Sequence, residues 1–171
     1  MSDCKQYNKW EMRERNLLRL WELTSQDVFL KSESILRQIK ESGIISNNSI
    51  FMVFHSMKKE FSTTWLIKLL LENRRKVVLP KVINEKDMVV IDIQTGEIFS
   101  WNIDVAYIPW VVFWSDYNRI WRWKGYYDRF LADNKIKLKI WVWFDIQLVN
   151  NIQVESHDQK MDNIITESFY L

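Results

Sequence analysis

The chain has 171 residues, enough for one domain that buries about 70% of its unfolded surface. Its formal net charge of +2 argues neither for nor against a polyanionic partner, and a single cysteine, Cys4, excludes an internal disulfide framework and fits a reducing compartment. The charged N-terminus has no apolar signal-like core, and the longest apolar run, Tyr107 to Trp114, contains Pro109 and is too short for a bilayer, so a cytoplasmic protein with no membrane partner is expected.

In chain order, residues from about Tyr7 to Leu23 read as a helix, with Met12, Leu17, Leu20 and Leu23 at rough 3–4 spacing. Thr24 to Asp27 marks a break and a new start, and a second helix runs from about Asp27 to Ser42 on Val28, Leu30, Ile35, Leu36 and Ile39, stopped by Gly43. Ile50 to Phe54 is a short apolar run of the buried-strand kind. Thr63 to Asn73 reads as a third helix, Val77 to Pro80 as a strand, and Met88 to Ile93 as a strand closed by the turn Gln94-Thr95-Gly96-Glu97. Val105 to Pro109 is another buried strand, Tyr126 to Asp133 a helix and Lys139 to Val142 a strand, with one more short strand within Asp158 to Thr166. Helices alternating with short apolar strands, without a repeat or a linker, predict one α/β domain over residues 1–171: an open, mainly parallel sheet with helices on both faces. Ligands of such sheets bind beyond the carboxyl ends of the strands, where the segment after Val105 to Pro109 lies.

That segment holds Arg119-Ile-Trp-Arg-Trp-Lys-Gly-Tyr-Tyr-Asp-Arg-Phe130: three arginines, a lysine, a glycine, a tyrosine pair and an aspartate. Cations, a glycine for close backbone approach and a carboxylate for a metal are the parts of a phosphate cradle. Trp121 and Trp123 stand where such a cradle uses glycine. Ten tryptophans against three glycines is an anomaly, since ordinary usage gives roughly a dozen glycines in a chain this long. Seven of the tryptophans lie from Trp101 to Trp143, and Trp-x-Trp twice in such positions is unlike core packing.

With Trp121 and Trp123 read as glycine, the segment resembles the signature of the 5-formyltetrahydrofolate cyclo-ligase (methenyltetrahydrofolate synthetase) family. The resemblance covers most of the chain and continues in family order. Its other segments are Lys9-x-x-x-Arg13, His55-Ser56-Met57-Lys58-Lys59-Glu60 with Thr63, Leu79-Pro80-Lys81-Val82, Ile108-Pro109 before an expected glycine, Phe144-Asp145-x-Gln147-Leu148-Val149, and His157-Asp158-x-x-x-Asp162 through Glu167.

The resemblance implies ATP- and Mg2+-dependent closure of 5-formyltetrahydrofolate to 5,10-methenyltetrahydrofolate, with release of ADP and phosphate. It makes Lys124, Arg122 and Glu60 the catalytic groups. Lys9, Arg13, Arg119, Trp121, Arg122, Trp123, Lys124, Gly125, Tyr126 and Tyr127 would bind ATP, and His55, Met57, Glu60 and Tyr127 the folate. Asp128 and Asp162 would hold magnesium. The expected partners are these small molecules and no nucleic acid, and a monomer is expected.

Taken alone, the same residues also read otherwise. Lys9 and Arg13, one helical turn apart, suit a solvated face, as Glu60 beside Lys58 and Lys59 suits a surface. Met57 suits a core filler, Tyr126 and Tyr127 half-buried aromatics, and Asp128 a helix cap or a partner of Arg129. His55 and His157 lack zinc-ligand spacing.

The departure from the family lies at Trp110, Trp121 and Trp123, and extends to Trp101, Trp114, Trp141 and Trp143. One reading is that UGA codons, decoded as glycine by the host, stand here as tryptophan; UGG codons at 121 and 123 would exclude it. The other is a homologue that binds folate without turning it over. A third, from a different class, is a basic–aromatic platform for single-stranded nucleic acid. With indoles at all ten places, crowded and exposed side chains around a family-like fold are expected, and Trp10, Trp21 and Trp65 read as authentic helix residues.

Overall fold

The computed structural model describes residues 9–100, 102–109, 112–114, 119–120, 126–149 and 161–170, with backbone alone for 9–13, 112–114, 119–120 and 148–149. Three helices come first: α1 (Lys9–Glu22), α2 (Ser25–Glu41) and the single turn α3 (Ile44–Asn47). Thr24 and Asp27 form a reciprocal capping box that starts α2. Gly43, at φ +73°, supplies the left-handed residue that separates α2 from α3. There follow β1 (Ile50–Met52), α4 (Thr63–Glu72), β2 (Lys76–Val82), β3 (Met88–Asp92) and β4 (Ile103–Ile108). The rest is β5 (Val112–Trp114), β6 (Arg119–Ile120), α5 (Tyr126–Asp133), β7 (Ile136–Val142), a 3-10 turn (Asp145–Gln147), β8 (Leu148–Val149) and β9 (Asn163–Ile165).

The main sheet has six strands in the order β3-β2-β1-β4-β7-β9, and only the β2–β3 pairing is antiparallel. A second, three-stranded sheet, β6-β5-β8, follows the carboxyl ends of β4 and β7. Strand periodicity divides the core in two. Phe51, Val53, Val77, Val105, Tyr107, Ile140 and Val142 face Leu20 of α1 and Leu23 just after it, Ile35 and Ile39 of α2, and Leu66 and Leu70 of α4. Met52, Val78, Ala106, Ile108, Trp141 and Trp143 face Tyr127, Phe130 and Leu131 of α5. Helices therefore cover both faces, as the alternation of elements predicts.

The tryptophans depart from expectation. Trp141 and Trp143 are 0% and 1% exposed, with ring centroids 5.3 Å apart and planes tilted by 40°. They occupy alternate positions at the end of a central strand, so both indoles point under α5, and this Trp-x-Trp is core packing after all. The indoles that do reach solvent are Trp21 and Trp65, at 63% and 51%. The side chains at 10, 101, 110, 114, 121 and 123 lie outside the described residues.

Candidate active site

Strand order places a switch at β1 and β4. From β1 the chain crosses through α4 to β2 on one side; from β4 it passes through α5 to β7 on the other. Connections that leave in opposite directions open a crevice at the carboxyl ends of those two strands. Two connections leave there: residues 53–62 after β1, and the chain that follows β4 toward α5.

The first segment is tied down by short-range polar contacts. The Ser56 and Thr63 side chains each accept the other's backbone N–H at 3.2 Å, and Thr63 Oγ1 donates to Ser56 Oγ at 3.1 Å, pinning the loop to the first turn of α4. Within it, Glu60 Oε2 accepts from Met57 N at 2.9 Å and Glu60 N donates to Met57 O at 3.1 Å, so the carboxylate braces its own turn. Lys59 reaches the Leu23 carbonyl at the end of α1. His55 and Met57 are exposed on this loop, which removes the core-filler reading of Met57.

The second segment ends in α5. Tyr126 and Tyr127 are both buried rather than half-buried. The Tyr126 hydroxyl donates to Asn84 O at 3.0 Å, and Arg129 donates to Lys86 O through Nε at 3.0 Å and Nη2 at 2.8 Å. α5 is thus fastened to the β2–β3 connection, and Tyr127 is turned toward the sheet. Burial first, and the Glu60 carboxylate second, push the Tyr127 phenol above its ordinary value of 10.0. Tyr127 and Glu60, 67 positions apart in the sequence, are thus within electrostatic range of each other. A phenol that burial keeps protonated offers a hydrogen-bond donor, and a carboxylate within electrostatic range offers an acceptor.

Asp128 is half-buried on the first turn of α5, next to Tyr127 in sequence. Asp162 lies just before β9, where its Oδ2 accepts from Lys139 N at 2.7 Å and its N–H donates to Lys139 O at 3.0 Å. Among the described residues no three His, Cys, Asp or Glu side chains gather as a metal cluster. Arg119 belongs to β6, and Lys9 and Arg13 to the first turns of α1; their side chains, and all of Trp121, Arg122, Trp123, Lys124, Gly125, His157 and Asp158, lie outside the described residues.

Sequence reasoning passed over one buried amide. Asn16 is 1% exposed and its Nδ2 donates to Gln147 O at 3.0 Å, bonding α1 to the 3-10 turn. Its spacing of four from Leu20, which shares the buried face of α1, was the available signal.

The comparisons bear on the same segments. Residues 93–167 match the sequence model of the 5-formyltetrahydrofolate cyclo-ligase family. The resemblance carried by the motifs holds. A 5-formyltetrahydrofolate cyclo-ligase of Mus musculus is 25% identical over 179 residues, spanning 87% of this chain and 88% of that protein. The Mycoplasma genitalium protein of the same name is 33% identical over 94 residues, 54% of this chain and 56% of that one. Among solved structures, a 5,10-methenyltetrahydrofolate synthetase from Mycoplasma pneumoniae superposes with a TM-score of 0.81 at 23% identity, covering 94% of this chain and 99% of its own. One from Aquifex aeolicus gives 0.80 at 22%, covering 95% and 91%. The chain shares their fold. Among the described residues no helix is long and apolar enough to cross a membrane.

The buried tyrosines set a pH limit on the fold. Burial also raises the Tyr107 phenol, in β4, well above 10.0. Above the ordinary value the unfolded chain has released protons that the folded chain keeps, so stability falls as pH rises, by about 1.4 kcal/mol per pH unit for each tyrosine. Below pH 9 both states are protonated and neither tyrosine contributes. Thermal midpoints are expected to show no loss from these groups between pH 7 and 9 and to decline from about pH 10, with Tyr107→Phe and Tyr127→Phe each flattening the decline. A decline left unaltered by both substitutions would contradict this assignment.

Proposed function

We propose that the chain cyclises 5-formyltetrahydrofolate to 5,10-methenyltetrahydrofolate at the expense of ATP. The observation that carries this reading is the family match over residues 93–167, the part of the chain that holds Tyr127, Asp128 and Asp162. In the reaction, the formyl oxygen attacks the γ-phosphorus and ADP leaves. N10 of the substrate then attacks the activated carbon, the C–O bond breaks to free phosphate, and N10 gives up its proton. No protein nucleophile is needed. The protein must align the formyl oxygen with the phosphorus, neutralise the phosphates and exclude water.

Glu60 and Tyr127 would hold the pterin, with His55 and Met57 at the rim. Arg119, Arg122, Lys124, Lys9 and Arg13 would carry the phosphate charge, and Gly125 would admit the backbone. Magnesium is ordinarily held by one or two carboxylates together with substrate phosphates. Asp128, half-buried beside Tyr127, fits that role, and Asp162 is the second candidate although its Oδ2 already braces β7. The ion would supply charge neutralisation between phosphates.

A second reading, folate binding without turnover, is favoured by Trp121 and Trp123 alone. Calorimetric titration tests both. Saturable binding of 5-formyltetrahydrofolate is expected, weakened at least about tenfold in Glu60→Gln, the effect of losing a charge-assisted hydrogen bond. Binding without ATP-dependent formation of product, in this chain and in one with glycine at 121 and 123, would favour the second reading. No folate binding in either would overturn both, and salt-dependent capture of an oligonucleotide would then favour the nucleic-acid platform.

A further inference from the structure

Between the end of β7 at Val142 and the start of β8 at Leu148 the chain passes from the main sheet to the small one. The 3-10 turn Asp145–Gln147 occupies that passage and is tied from three sides. Gln147 closes the turn on itself, donating from N to Phe144 O at 2.8 Å and accepting Phe144 N on Oε1 at 3.1 Å. Glu167 accepts Asp145 N on Oε2 at 2.8 Å and pairs with Lys31 of α2 through Oε1. From α1, Asn16 donates to Gln147 O at 3.0 Å.

The Asn16 bond differs from the others. Asn16 and Gln147 are each 1% exposed, and Asn16 Oδ1 is buried with no hydrogen-bond partner among the described residues. An amide with one half unsatisfied is a poor source of stability, and leucine would fill a similar volume without stranding an oxygen. What leucine cannot do is fix the helix to one carbonyl. That carbonyl immediately precedes β8, which pairs with β5, and β5 in turn pairs with β6 at Phe113–Arg119. α1 packs on both the turn and β5. Lys9 and Arg13 precede Asn16 by seven and three positions, the spacing of one side of a helix.

We infer that Asn16 is a positioning residue: its amide docks α1 and the small sheet on the carboxyl end of β7, and so sets the phosphate-binding half of the site against the folate-binding half. The functional half of this inference rests on the cyclo-ligase reading; the docking half does not. Glu60 lies on the loop after β1 and Tyr127 on α5, elements other than the turn and the small sheet that the Asn16 bond joins.

The test is Asn16→Leu, with Asn16→Ala beside it, in the full chain and in the full chain with glycine at 121 and 123. Backbone amide exchange in β5 and β8 is expected to accelerate about tenfold, the equivalent of one buried hydrogen bond, while β4 and β7 keep their protection. The Kd for ATP with magnesium is expected to rise by a similar factor, and that for 5-formyltetrahydrofolate to stay within about twofold. Unchanged exchange in β5 and β8 would overturn the inference. So would faster exchange throughout the sheet with both affinities shifted together, which describes a purely structural residue. Selective loosening of the small sheet in a protein that binds no ATP before substitution would support the docking role and sink the cyclo-ligase reading instead.

Discussion

Glycine at 121 and 123, with Trp141 and Trp143 left in place, is expected to raise ATP-dependent formation of methenyltetrahydrofolate about 10²-fold or more. The two positions flank Arg122 and precede Lys124, in the only part of the chain where cations and a glycine are this dense. A loop that wraps a triphosphate brings backbone N–H groups within hydrogen-bond distance of oxygens and bends through positive φ, and both requirements are met by a residue without Cβ. An indole at either position puts bulk where phosphate belongs and resists the left-handed conformation. The assay follows product absorbance in the two chains side by side. Equal rates would mean that the loop tolerates both indoles, and the UGA reading would lose its chemical motive. Sequencing the codons at 121 and 123 gives an independent answer: UGG at both would leave a genuine tryptophan-bearing homologue.

How far this protein could be read from its sequence depends on the length and periodicity of each element. Tyr126–Asp133 has the bounds expected from the pattern, and α4 differs by one residue at its end, because both are amphipathic runs with clear flanks. The central strands were visible as apolar runs because both faces of a parallel sheet are covered. The small sheet was not visible. β6 and β8 have two residues each, and β5 merges with the end of β4 into one apolar run from Tyr107 to Trp114, broken only at Pro109. Of the candidate site, the electrostatic reach of Glu60 to Tyr127 needed the fold, since nothing local relates residue 60 to residue 127. The Asn16–Gln147 bond spans 131 positions, and an asparagine in a helix carries no mark of its partner. The indoles at 141 and 143 show the opposite error: counting glycines treated seven tryptophans as one class, whereas their alternation on an apolar strand already placed these two on a common inward face.

Trp141→Ala and Trp143→Ala are each expected to cost about 3–5 kcal/mol of unfolding free energy, read as a lower denaturant midpoint with little change in slope. Trp141 is paired with Ile108 on one side and Ile164 on the other, so its strand cannot move to close the hole. α5 could settle toward the sheet only by giving up the bonds from Tyr126 and Arg129 to the Asn84 and Lys86 carbonyls. The cavity therefore stays largely open, the condition under which truncation is most costly. The indoles touch, so the two losses will not add simply, yet the double variant should approach the whole stability of an ordinary domain, about 5–15 kcal/mol, and fail to fold cooperatively. This separates the tryptophans into two groups with opposite expected responses to glycine: a gain of activity at 121 and 123, and a loss of fold at 141 and 143. If glycine at 141 and 143 instead leaves the midpoint within about 1 kcal/mol, α5 packs on β7 without the indoles, and the fold does not require tryptophan at these positions.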